Sequence, residues 1–240
     1  MTAGDVQQEI QHCARADYAA SLQRFFKTGP GQYGEGDVFV GVRMPDVRMV
    51  CKKFKALELA EIQKLYDSGI HEHRMAAGII LTYQFPKADD KKRQAIYKLY
   101  LKNVRRGRVN NWDLVDLTAP NIVGEYLQDK PRAVLFELAA SDSLWERRVA
   151  MLACFSFIAR GEPDTALEIG EILLHDKHDL IQKAVGWMLR EVGKRIDRKL
   201  LTNFLDKHAG SMPRTALRYA IEHLPPEMRA HYLGQKVGKG

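Results

Sequence analysis

The stretch Asp179-Leu180-Ile181-Gln182-Lys183-Ala184-Val185-Gly186-Trp187-Met188-Leu189-Arg190-Glu191-Val192-Gly193-Lys194-Arg195 reads as one long amphipathic helix. At about 100° per residue, Val185, Met188 and Val192 fall within about 40° of Ile181 and form a core stripe. Trp187 falls near 240°, beside Lys183, Arg190 and Lys194 at about 200°, 180° and 220°. An indole among cations, off the core side, is either packed on the next helix or set aside for a ligand.

Working outward, three other stretches begin in the same way. His73-Arg74-Met75-Ala76, Arg147-Arg148-Val149-Ala150 and Pro213-Arg214-Thr215-Ala216 match Gln182-Lys183-Ala184-Val185, each with a basic residue early in a helix. The basic positions 74, 148, 183 and 214 are separated by 74, 35 and 31 residues. The first interval is two periods if a degenerate unit lies near Trp112. A period in the thirties with two helices per unit predicts an all-α, curved α-solenoid of HEAT-like helix-pair repeats. Its concave face would carry the column Arg74, Arg148, Lys183 and Arg214, a basic track suited to phosphates.

Candidate helices run Ala3–Ala14, Asp17–Phe26, Pro45–Phe54, Ala56–Asp67, His71–Tyr83, Asp89–Val104, Asn111–Leu117, Ile122–Leu127, Pro131–Ala140, Leu144–Arg160, Pro163–His175, Asp179–Arg195, Arg198–His208 and Pro213–His223. The gaps are short, so neighbouring helices should be antiparallel. Val38–Val42 alone alternates like a strand and is short enough to be a loop packed on helices. One domain is expected over 1–233, with a disordered basic tail at 234–240.

The 240 residues are 45% hydrophobic and 28% charged, the composition of a folded globular chain rather than a disordered one. No leader is legible at the N-terminus, and the longest apolar run, Val149 to Phe155, is too short for a membrane span. Cys13, Cys51 and Cys154 are odd in number and form no CxxC pair, which predicts a reducing cytoplasm and neither a disulfide framework nor a metal site. The net charge of +7 suits a polyanionic partner. Lys91 to Arg108 holds eight basic residues, Arg106 and Arg108 among them, and no acid. That run reads equally well as a solvated helix face.

Immediately after it comes Asn111-Trp112-Asp113-Leu114-Val115-Asp116. Asn110 or Asn111 is a good N-cap, and Pro120 limits the helix soon afterwards. Trp112 and Asp116, four apart, share a face. A carboxylate there weakens plain DNA binding, so Asp116 needs another role: a salt bridge to a basic residue, or catalysis. Leu144–Arg160 is apolar nearly all round, hence an inner helix, and Arg148 on it requires a partner. Asp116 and a phosphate are both candidates.

Three strings, Trp112-Asp113-Leu114-Val115-Asp116, Ser141 to Ala150 and Ile181 to Glu191, closely resemble the AlkD family of bacterial DNA glycosylases. The likeness extends more weakly to Phe39–Pro45, which includes Arg43, and to the Arg214–His223 helix, and it covers about Asp17 to His223. The resemblance implies a HEAT-like solenoid that excises N3- and N7-alkylated purines, such as 3-methyladenine and 7-methylguanine, from double-stranded DNA. By position it makes Asp116 the catalytic aspartate, Trp112 and Trp187 the indoles on the lesion's deoxyribose, and Arg148 the arginine holding the backbone. Arg74, Lys183, Arg190, Lys194, Arg214, Arg43, Arg106 and Arg108 are the expected DNA contacts. The family often has a second tryptophan where this chain has Asn111, and some members have a tyrosine where it has Phe25. It is also thought to leave the base stacked rather than flipped.

The chemistry suits these residue types. Alkylation at N3 or N7 makes the purine cationic and a good leaving group, so no general acid is needed. A fixed carboxylate can stabilise the oxocarbenium-like sugar and guide water to C1′. Indole faces favour the same developing charge. No lysine is required as a Schiff-base nucleophile, so a monofunctional, cofactor-independent, monomeric hydrolase is expected. The alternatives are a non-catalytic HEAT-like DNA-binding module and a protein-interaction scaffold.

Overall fold

The computed structural model describes residues 1–235 and is all-α, with fourteen α-helices among the described residues. Positions 236–240 of the expected tail lie outside them. The chain groups into two compact units, Met1–Ile122 and Val123–Gly240. No helix among the described residues is long and apolar enough to cross a membrane.

In the first unit the helices are α1 (Ala3–His12), α2 (Ala16–Phe25), α3 (Met44–Lys53), α4 (Leu59–Asp67), α5 (His71–Gln84), α6 (Asp90–Arg105) and α7 (Trp112–Ala119), with a 3-10 turn at Phe85–Lys87. Local chemistry sets the ends. Thr2 and Asp5 form a capping box at α1, Pro45 sits in the first turn of α3, and Asp89 accepts from the Lys92 amide at 2.8 Å to start α6. The core centres on α5, which packs on α1, α3, α4 and α7 and buries twelve of its fourteen residues.

The strand-like Val38–Val42 is a loop, touching Ile70 through one isolated bridge at Val38. Glu72 holds it in place: its buried carboxylate accepts from the amides of Val40 (3.1 Å), Gly41 (2.8 Å) and Val42 (3.2 Å). Three amides that a sheet would have paired are satisfied by one side chain. Gly41 takes φ +85°, and a Cβ there would lie 2.1 Å from the Arg15 carbonyl, so only glycine lets α2 start against this loop.

As expected, α7 ends at Ala119 with Pro120 as its C-cap. Without an N–H, Pro120 cannot donate to the Asp116 carbonyl, and the chain widens into a π-helical turn, Pro120–Gly124. The expected helix Ile122–Leu127 is replaced by this turn and a short continuation.

The second unit comprises α8 (Ala133–Ala139), α9 (Leu144–Ile158), α10 (Asp164–Ile172), α11 (Asp179–Arg195), α12 (Arg198–His208), α13 (Arg214–Ala220) and α14 (Pro226–Gly234). The last lies beyond the expected helices; Pro226 occupies a first-turn position, where proline is tolerated. Gly234, expected in the disordered tail, is its last residue. As expected of an inner helix, α9 buries eleven of its fifteen residues. The predicted stripe of α11, Ile181, Val185, Met188 and Val192, is fully buried.

The helix pairs α4/α5, α8/α9 and α10/α11 share one device. A side chain in the first turns of the second helix donates to a carbonyl six residues earlier: Arg74 to Ser68 (3.1 Å), Arg147 to Ser141 (2.9 Å), Gln182 to Asp176 (2.9 Å). By this device the positions equivalent to Arg74 are 147 and 182, so the expected series Arg74, Arg148 and Lys183 is out of register by one residue after Arg74. Sequence similarity matched the cations, whereas the donors that tie each turn are the equivalent residues.

Candidate active site

Asn111 is fully buried, and its side-chain oxygen accepts from the Trp112 amide at 2.9 Å as the N-cap of α7. The residue standing in the family's tryptophan position thus sets the start of the helix that carries the indole. The Trp112 ring stacks on Phe26, centroids 5.2 Å apart and planes 25° from parallel, with Phe25 edge-on at 6.0 Å. Phe26 stacks in turn on Phe39 at 5.0 Å. Trp112 and Asp116 are both half-buried, one turn apart on α7. The Asp116 charge adds to burial in raising the hydroxyl of Tyr100 above its usual range.

Behind this face lies a cluster that the sequence reading missed. His71 is 2% exposed and stands between two carboxylates, with Asp37 at 2.7 Å from Nδ1 and Asp113 at 3.0 Å from Nε2. Burial disfavours its charged form, but the charges and hydrogen bonds of Asp113 and Asp37 outweigh that and push its pKa up to about 9. Asp37 itself is held below the usual carboxylate range: burial opposes this, and His71 and Arg74 overcome it. Arg74 donates to Asp37, to Ser68 O and to Asn110 Oδ1 (3.2 Å). His73 goes the other way, to about 4, because burial and then the Arg74 charge disfavour its protonation. The string His71-Glu72-His73-Arg74 was the available signal; the two partners of His71 lie 34 and 42 residues away, where no spacing rule reaches.

In the second unit Arg148 is 5% exposed and donates to the Leu180 carbonyl. Trp187 is half-buried with Phe155 at 6.4 Å, and Arg195 lies over the Phe155 ring at 4.8 Å. Around it, Lys183 pairs with Asp179 at 2.9 Å, Arg190 with Glu222, and Lys194 is exposed.

The expected DNA contacts thus divide by exposure. Arg43 is exposed, 5.9 Å over the Tyr18 ring, and Arg106 is exposed while pairing with Asp67 at 3.0 Å. Arg108 donates to the carbonyls of Tyr66 (2.8 Å) and Ser68 (2.8 Å) at the end of α4, and Arg214 to that of Leu233 (2.9 Å). Arg74, at 3% exposure, offers no surface to a phosphate, and its expected role is revised: it neutralises Asp37 and ties a turn.

Comparison with known proteins agrees with this architecture. No curated protein matches the sequence significantly. Among solved structures, the fold is similar to a chain described as a predicted DNA alkylation repair enzyme from Enterococcus faecalis, with TM-score 0.71 and 17% identity, over 89% of this chain and 97% of that one. A family model described as DNA alkylation repair enzyme matches residues 6–224, and the chain accordingly belongs to the DNA alkylation repair enzyme family.

Proposed function

We propose that this chain is a monofunctional DNA N-glycosylase that hydrolyses the glycosidic bond of N3- and N7-alkylated purines in duplex DNA. The observation that carries the reading is the pairing on α7 of a half-buried carboxylate, Asp116, with a half-buried indole, Trp112, whose ring is fixed by the Phe26 stack. In a DNA repair family such a pair suits a cationic sugar better than it suits a phosphate. Asp116 stabilises positive charge at C1′ and orients the attacking water, and Trp112 offers a π face to the same sugar. The family resemblance adds Trp187 as a second indole, while Arg148, 5% exposed, is engaged by the Leu180 carbonyl at the start of the helix that carries Trp187. The purine already carries its charge and leaves without an acid. Arg43, Lys194 and Arg106 are the exposed cations best suited to backbone phosphates, and the helix pairs are read as HEAT-like repeats of a monomer.

The test is release of free base from a duplex containing 7-methylguanine. The wild type should release it, and Asp116→Asn should slow release by about a hundredfold or more while duplex affinity is kept. Intact binding without any release by the wild type refutes the reading in favour of a non-catalytic DNA-binding module.

A further inference from the structure

Helix α7 has eight residues, too few to persist by itself, yet it carries both Trp112 and Asp116. Its first turn is held by the first turn of α5. The Nε2 of His71 meets the Asp113 carboxylate at 3.0 Å, and Arg74 donates to the Asn110 side chain at 3.2 Å. Two side chains of α5 thus grip the chain before and after the Asn111 cap. His71 is anchored in turn on its other nitrogen. Asp37, whose side chain is fully buried, lies 2.7 Å from Nδ1 and also accepts from Arg74.

The same imidazole reaches Trp112 by a second route. It stacks on Phe39, centroids 4.3 Å apart, and lies against Phe26 at 5.4 Å, the ring on which the Trp112 indole stacks at 5.2 Å. His71 is therefore linked to the indole's backbone turn through a hydrogen bond and to its ring through one aromatic neighbour. Both oxygens of Asp113 are engaged, one by His71 and the other by the Leu114 amide at 2.8 Å, which makes it a link rather than a second acid of the site. Stability alone does not call for a buried cation between two carboxylates, because apolar side chains of the same volume serve a fold as well or better. Hydrogen bonds add direction, and a reacting group misplaced by about 1 Å loses about a hundredfold in rate. From these contacts we infer that His71 is a positioning residue for base excision, holding the Trp112 indole and the turn that leads to Asp116 by way of Asp113 and Phe26. The inference rests on the glycosylase reading for the reaction it serves, and on the contacts of His71 for the clamp itself.

The experiment compares wild type, His71→Gln, Asp113→Asn and the double variant in three measurements. These are single-turnover release of 7-methylguanine from duplex DNA at saturating protein, duplex affinity, and the fluorine NMR spectrum of fluorotryptophan-labelled protein. The Trp112 line is assigned by its loss in Trp112→Phe. His71→Gln should slow release by about thirtyfold to a hundredfold, with duplex affinity within about twofold of wild type. It should also move or broaden the Trp112 line and leave those of Trp145 and Trp187 in place. Asp113→Asn can still accept from Nε2 and should slow release by about tenfold, the difference between a charged and a neutral hydrogen bond. The double variant should be no slower than His71→Gln, because both changes open one link. If His71→Gln does not fold, Asp113→Asn carries the same readouts. Full release rate in a folded variant, a rate loss matched by lost affinity, effects that multiply in the double variant, or an unmoved Trp112 line overturns the inference. A wild type that releases no base removes the glycosylase reading instead, and the clamp is then judged by the Trp112 line alone.

Discussion

The Nε2 of His71 lies 3.0 Å from the carboxylate of Asp113 and so joins the start of α5 to the first turn of α7, the turn that carries Trp112. The bond is charged on both sides, because His71 is held up to about 9 by Asp113 and Asp37 against the cost of its burial. A side chain that is neutral in most proteins at slightly alkaline pH is thus a structural cation here.

This makes stability depend on pH. The fold binds the His71 proton more tightly than the unfolded chain does, so its contribution is complete below about pH 6.5 and drains away as pH rises to about 9. The shift corresponds to something on the order of 3 kcal/mol. His73, depressed to about 4, acts oppositely and lowers stability as pH falls from about 6.5 towards 4. Urea midpoints should peak near pH 6.5. In His71→Gln the alkaline decline up to pH 9 should flatten, and a decline as steep as the wild type's would contradict this assignment.

The stack of Phe26 on Trp112 should matter for rate more than for binding. Phe26→Leu keeps an apolar side chain at a 6% exposed position but removes the ring contact, worth about 0.5–1.5 kcal/mol. Release of 7-methylguanine should slow by about tenfold, with affinity for undamaged duplex within about twofold of wild type. A matched loss of affinity would mean that the aromatic layer serves docking rather than the sugar.

Gly186 on α11 lets α13 approach so closely that a Cβ there would lie 2.3 Å from the Ala216 carbonyl. Gly186→Ala would add about 1 kcal/mol of helix propensity but force the two helices apart, for a net loss of about 1–2 kcal/mol. A chemical denaturation curve showing a stabilised variant would mean that α13 yields without cost.

Arg74 and Lys194 should separate structure from phosphate binding. Lys194→Ala, at an exposed position, should weaken duplex binding regardless of sequence and reduce the salt slope by about one. Arg74→Ala leaves Asp37 buried with less compensating charge, costing about 3 kcal/mol of stability, and should not change the slope. A slope reduced in a folded Arg74→Ala protein would return that arginine to the DNA surface.

Read alone, the chain determined its all-α character, nearly all of its helices and the burial of Ile181, Val185, Met188 and Val192, because helical periodicity and capping are local and repeat within a turn or two. It also determined its family, through strings such as Trp112–Asp116 and Ile181–Glu191. What tertiary structure alone decided were the partners of ionisable groups. That Arg74 neutralises Asp37, that Glu72 holds the 38–42 loop and that His71 is clamped by Asp37 and Asp113 all join residues some 30 to 42 positions apart. A buried charge takes whichever opposite charge the packing brings near, and no periodicity in the sequence records that choice. The same holds for α14, where Pro226 starts a helix.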